Sequence, residues 1–183
     1  HNNQFTLDLA STLHTALTTK SSIDLGIRLS STCGMHFQTM DDLLGATTFH
    51  NINTYALGTY SSANDAVQYD LNNRNGVVKE GDKFGYNYNI LVNKAGAWST
   101  YTFDKGATHS FISGRIGAIA MQRDGKMRNG MAPENSYGKS GTAHFLDGGV
   151  KMSTNIRLGG GHTLVVGAGA ECRAPQASTA FAS

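Results

Sequence analysis

Seven charged residues sit at alternate positions of strand-like runs: Asp24, Arg28, Asp147, Lys151, Arg157, Glu171 and Arg173. On one sheet face, such groups can pair with one another, hold water or contact a polar ligand. In a dry core, unpaired charges would be very costly. Their expected setting is therefore a wet lumen, with solvation and mutual pairing as their main role. A second group is aromatic and lies in long connections: Phe49, Tyr55, Tyr60, Tyr69 and Tyr137. Loops on a rigid scaffold commonly carry recognition, so these residues are the expected ligand contacts.

Patterns for covalent chemistry fail on inspection. Gly138-Lys139-Ser140 has the end of a phosphate loop, but Pro133 occupies its upstream glycine position and no helix-like segment follows. The same residues miss a nucleophile elbow, because Thr142 stands where the final glycine belongs. The 7 histidines are dispersed, and none shares a strand face with another two residues away. Cys33 and Cys172 form no CxxC pair and read as small apolar residues on strand faces, with one disulfide as the alternative. The expectation is no enzyme, no catalytic residue, no cofactor and no metal site.

The elements that position these side chains are strands. Gly, Ser, Thr and Asn make up 69 of 183 residues, and charged residues only 15%. A helical bundle would favour Ala, Leu, Glu and Lys instead. A hydrophobic fraction of 39% with net charge +2 argues against disorder, and the near balance of charge against bulk attraction to nucleic acid. No run of 18 apolar residues is present to form a transmembrane helix.

Period two is the dominant pattern. Leu7, Leu9, Leu13 and Leu17 oppose Thr6, Asp8, Thr12 and His14. Ile23, Leu25, Ile27 and Leu29 oppose Asp24, Gly26, Arg28 and Ser30. Further runs span roughly Gly85–Phe103, His109–Gln122, Thr142–Leu158 and Thr163–Arg173. Several exceed the usual length of about 5–6 residues for globular strands. Tight turns near Thr19–Ser21, Asp104–Ala107 and Gly159–Gly161 alternate with long connections, about 39–84 and 123–141. That asymmetry is the layout of outer-membrane barrels. The expected fold is all-β: an antiparallel up-and-down transmembrane β-barrel sheet of about 6–8 long strands, forming an incomplete barrel. Within the first long loop, Met40–Leu44 reads as one helical turn.

Several segments then carry a family resemblance. They are Met40–Ala46, Phe49–Leu57, Asp124–Gly130, Glu134–Gly141, Ala143–Lys151 and Glu171–Pro175. Together they resemble the barrel region of TonB-dependent outer-membrane receptors. The resemblance implies active uptake of a scarce nutrient (metal chelate, vitamin or glycan) at the bacterial outer membrane, with no covalent chemistry on the substrate. It also implies outer-membrane lipid around the wall, and a plug domain and TonB complex acting through a full-length parent. No plug segment is present, and the chain ends Phe181-Ala182-Ser183 rather than on the family's terminal aromatic. Residues 1–183 therefore read as part of a barrel whose relatives have about 22 strands. Either Phe49–Tyr60 and Ala66–Leu71 supply extra strands, or the sheet stays open.

The alternative is a soluble or surface-attached β-sandwich adhesin that binds glycan. The two readings differ at Ile27 and Val150. A sandwich buries both against a second sheet, whereas a barrel turns both outward.

Overall fold

A computed structural model describes residues 1–181, with Ser178 described by its backbone alone. Ala182 and Ser183 lie outside the described residues. The fold is all-β, with one short α-helix among the described residues, α1 (Ala177–Ala180). Six long strands dominate: β1 (Asn2–Thr18), β2 (Ser21–Thr39), β5 (Lys83–Lys105), β6 (Thr108–Gly125), β8 (Ala143–Gly159) and β9 (His162–Cys172). Three two-residue strands, β3 (Phe49–His50), β4 (Val77–Val78) and β7 (Gly138–Lys139), lie in the long connections. No described helix is long and apolar enough to cross a membrane, which says nothing about strands.

The main sheet runs β1-β2-β5-β6-β8-β9, with β7 added beside β6. It is antiparallel and up-and-down, and sequence neighbours among the long strands pair. Among the described residues β1 does not pair with β9, so the sheet is open and has two edges. The longest strand, β5, has 23 residues. Phe49–His50 pairs only with Val77–Val78 in a separate two-stranded sheet. The long loop thus adds no strand to the main sheet. Residues 56–58 and 65–67 instead form single 3-10 turns. Nor is Met40–Leu44 helical: Leu44 is left-handed at φ 52° and Gly45 follows at φ 89°.

The β8–β9 hairpin shows why the alternating pattern produces two faces. Val150 pairs with Ala170, Met152 with Ala168 and Ile156 with Leu164. The intervening pairs include Gly149–Glu171, Lys151–Gly169 and Ser153–Gly167. Successive side chains point to opposite faces, so apolar and polar pairs separate over Gly149–Ser153. Nearer the turn the division is less strict, with Thr154 opposite Val166 and Asn155 opposite Val165. The hairpin turns at Gly160 and Gly161, both left-handed (φ 61° and 81°), as a two-residue turn matching strand twist requires.

The chain divides into two compact units. One gathers His1–Thr6, Thr32–Val92 and Met121–Ala143, and so contains both long connections. The other gathers Leu7–Ser31, Asn93–Ala120 and the residues from His144 onward, and contains all three tight turns.

Candidate functional site

In the turn-bearing unit the two sheet faces differ sharply. Leu9 is 66% exposed, Ile27 56%, Val150 61% and Leu158 64%. No layer of the described chain covers them. The opposite face holds a concavity of about 1080 Å³. Arg28, Lys94, Trp98, Arg115, Asp147, Lys151, Glu171 and Arg173 line it, with hydroxyls from Ser30, Thr100, Thr102 and Ser113.

Its charges are organised. Arg115 Nε donates to Glu171 Oε1 at 2.9 Å, and its Nη2 also pairs with that oxygen. Arg115 Nη1 donates to Asp147 Oδ1 at 3.3 Å. Arg173 Nε donates to Glu171 Oε2 at 2.6 Å. One arginine therefore bridges carboxylates from β8 and β9, and a second arginine holds the far oxygen of one of them. Such charge-assisted bonds are roughly twice as strong as neutral ones. On the first two strands, Arg28 Nε donates to Asp8 Oδ1 at 3.2 Å, and His14 Nδ1 lies 2.7 Å from Asp24 Oδ1. Five of the seven charged residues singled out in the sequence thus have a partner of opposite type: Asp24, Arg28, Asp147, Glu171 and Arg173. Lys151 lines the concavity, but no ion pair involves it among the described residues. Arg157 is placed apart from the concavity, with its backbone N–H donating to the Ala107 carbonyl at 3.0 Å.

Glycine makes room for these side chains. A Cβ at Gly26 would overlap the Trp98 indole, and one at Gly117 would overlap the Asp147 carboxylate. A Cβ at Gly149 would sit 3.3 Å from Glu171 Cγ, and one at Gly169 would sit 3.1 Å from Lys151 Cβ. Each long polar-face side chain in this set lies across a glycine of the neighbouring strand. The glycine load of the composition therefore has a local purpose here: it gives bulky groups a flat floor to lie on.

Arg115, Asp8, His14, Lys94 and Trp98 complete the site, and sequence reasoning missed them. Arg115 lies in the run with the poorest alternation, where Ile119 and Met121 share its parity. The available signal was its position at the same parity as Ser113 and Gly117, facing the charges of the next strand.

The loop-bearing unit has its own small core. Val67 is 1% exposed, Val78 4% and Ala56 7%. Buried Gln68 donates from Nε2 to Asn75 Oδ1 at 2.9 Å and accepts from the Asn75 N–H at 2.7 Å. Buried Asn51 accepts from the Gly85 N–H at 2.9 Å. The two long connections are tied together by backbone: Leu71 N–H to the Arg128 carbonyl at 2.7 Å, and Gly130 N–H to the Gln68 carbonyl at 2.9 Å. Cβ atoms at Gly125 and Gly130 would collide with the carbonyls of Ser136 and Asp65. Arg74 Nη1 donates to Asp65 Oδ1 at 2.5 Å, and this bond holds the Asp65 carboxyl below the usual carboxylate range. The segments Phe49–Leu57 and Asp124–Gly130 are therefore parts of one packed loop assembly.

The five loop aromatics do not share one environment. Tyr55 is 91% exposed, Tyr137 56% and Tyr60 41%, while Tyr69 is half-buried. Phe49 packs edge-to-face on Phe84, with ring centroids 6.0 Å apart. None of the five lines the concavity of the other unit. A different aromatic is engaged here: Tyr88 stacks on His36 at 5.0 Å and carries the Arg123 guanidinium 4.7 Å from its ring centre. Cys33 and Cys172 are free thiols. No cluster of three or more metal-binding side chains occurs among the described residues.

Comparisons with family models, curated proteins and solved structures give no match for this chain.

Proposed function

We propose that this chain is a section of the wall of a bacterial outer-membrane β-barrel receptor that imports a scarce nutrient with TonB-supplied energy. The observation that carries this reading is the continuous exposed apolar face opposite a charged, hydroxyl-lined one. Ile27 and Val150 are both more than half exposed, where a sandwich would bury them against a second sheet. Soluble monomers rarely expose contiguous apolar patches beyond a few hundred Å². A bilayer removes the conflict, because lipid covers the apolar face while water and solute occupy the polar one. The open edges fit the same reading. Unpaired backbone groups cost several kcal/mol each in hydrocarbon, so a membrane wall closes with further strands of its parent.

The transport role belongs to that parent, together with its plug domain and TonB complex. The cargo is a metal chelate, vitamin or glycan, and the exposed loop tyrosines are its first contacts. Ile27→Arg in the full-length parent tests the assignment. On a lipid face near the midplane it should cost roughly 2–4 kcal/mol and reduce assembly in the outer membrane. Normal assembly of the variant, or a purified chain that stays monodisperse without detergent, would overturn the reading.

A further inference from the structure

The polar face is not electrically neutral. Five cationic side chains and two carboxylates line the concavity. Both carboxylates are held by arginine, Asp147 by Arg115 and Glu171 by Arg115 and Arg173. Arg28 is paired with Asp8. Lys94 and Lys151 remain, both exposed and both outside every ion pair among the described residues. A cleft with an excess of one sign of charge concentrates counter-ions and speeds their entry. Rings of Arg and Lys serve this purpose in anion-conducting pores.

We propose that this face selects an anionic solute, with carboxylate-bearing molecules the class best matched to Lys94 and Lys151. The proposal rests on the receptor-wall reading and narrows its cargo to negatively charged members. The arginine network contributes indirectly. By pairing with Asp147 and Glu171 it offsets those carboxylates, which leaves Lys94 and Lys151 as the cations outside any ion pair among the described residues. Trp98 and the hydroxyls of Ser30, Thr100 and Ser113 line the same space, and offer an apolar ring and hydrogen bonds beside the charge.

Trp98 is the chain's one tryptophan and is 37% exposed, so its fluorescence reports from inside the site. The experiment titrates the detergent-dispersed chain with trigalacturonate, citrate, neutral maltotriose and trilysine. Saturable change with the two carboxylates, and none with maltotriose or trilysine, is expected. Tighter binding of trigalacturonate identifies an acidic glycan as the source of the charge, and tighter binding of citrate a chelate-type acid. Lys94→Gln with Lys151→Gln should weaken the response about tenfold or more, whereas Lys20→Gln with Lys105→Gln, on tight turns outside the concavity, should not. Equal response to maltotriose, a larger response to trilysine, or an unchanged double variant overturns the proposal. A chain that inserts into lipid but ignores both carboxylates ends this inference and leaves the wall reading standing. A chain that binds them as a detergent-free monomer ends the wall reading, and the assignment of cargo with it.

Discussion

Gly26→Ala is the sharpest test of the glycine floor. The added methyl would overlap the indole Cε2 and Nε1 of Trp98 and lie 2.6 Å from Cζ2. Ordinary carbon contacts are about 3.5–4.0 Å, so the ring must move by roughly 1 Å or change rotamer. Overpacking of this kind typically costs about 1–3 kcal/mol. Against it stands a gain of about 0.4–1 kcal/mol, because alanine restricts the unfolded chain more than glycine. The net expectation is a loss of about 0–2.6 kcal/mol. Gly114 provides the matched control: it lies in β6, and nothing stands within 4 Å of where an alanine methyl would project, so Gly114→Ala should show only the gain. Urea unfolding in detergent, followed by Trp98 emission, measures both. The emission maximum of folded Gly26→Ala should shift as the indole is displaced, and that of Gly114→Ala should not. Equal stability of the two variants with unchanged emission would refute the claim that Trp98 lies on Gly26.

Two further expectations concern the loop-bearing unit. Gly130→Ala should push the Gly130 segment off the Asp65 carbonyl and weaken the Gly130–Gln68 bond, since backbone and not a flexible side chain stands in the way. Limited proteolysis should then cut residues 39–84 about 5- to 150-fold faster, the factor that a local loss of about 1–3 kcal/mol implies. Acid should loosen the same unit. Asp65 is depressed below its ordinary value by Arg74, so the pair contributes above the unfolded value of 3.8 and is lost as pH falls through the lower folded one. Protection of the loop against an acid-active protease should therefore persist at about pH 5 and fall away below the carboxylate range. In Asp65→Asn that pH dependence should be reduced.

Much of the architecture was legible because a strand reports itself locally. Leu7, Leu9, Leu13 and Leu17 must share a face whatever the strand pairs with, and so must Asp24 and Arg28. The strand bounds accordingly moved by only a few residues between sequence and structure, and both long connections fell where the alternation stopped. The loops were less legible. Phe49–Tyr60 contains enough aromatic and β-branched residues to suggest a strand, yet Ala56 turns inward in a 3-10 turn and Phe49 finds its partner at Val78. Their core forms around Val67 through contacts between residues far apart in sequence, which periodicity cannot reveal.

What the sequence determined alone is the two-faced character of the sheet: apolar side chains on one parity, charges and glycines on the other. That follows from backbone geometry, which turns successive residues to opposite sides. What only the tertiary structure decided is who meets whom on the polar face. Arg115 reaches both Asp147 and Glu171 because β6, β8 and β9 lie side by side in one register, and Trp98 lies on Gly26 because β5 runs beside β2. A slip of any strand by one residue would send its charges to the apolar side. The pairing of Asp147 and Glu171 with Arg115 is therefore a property of the register.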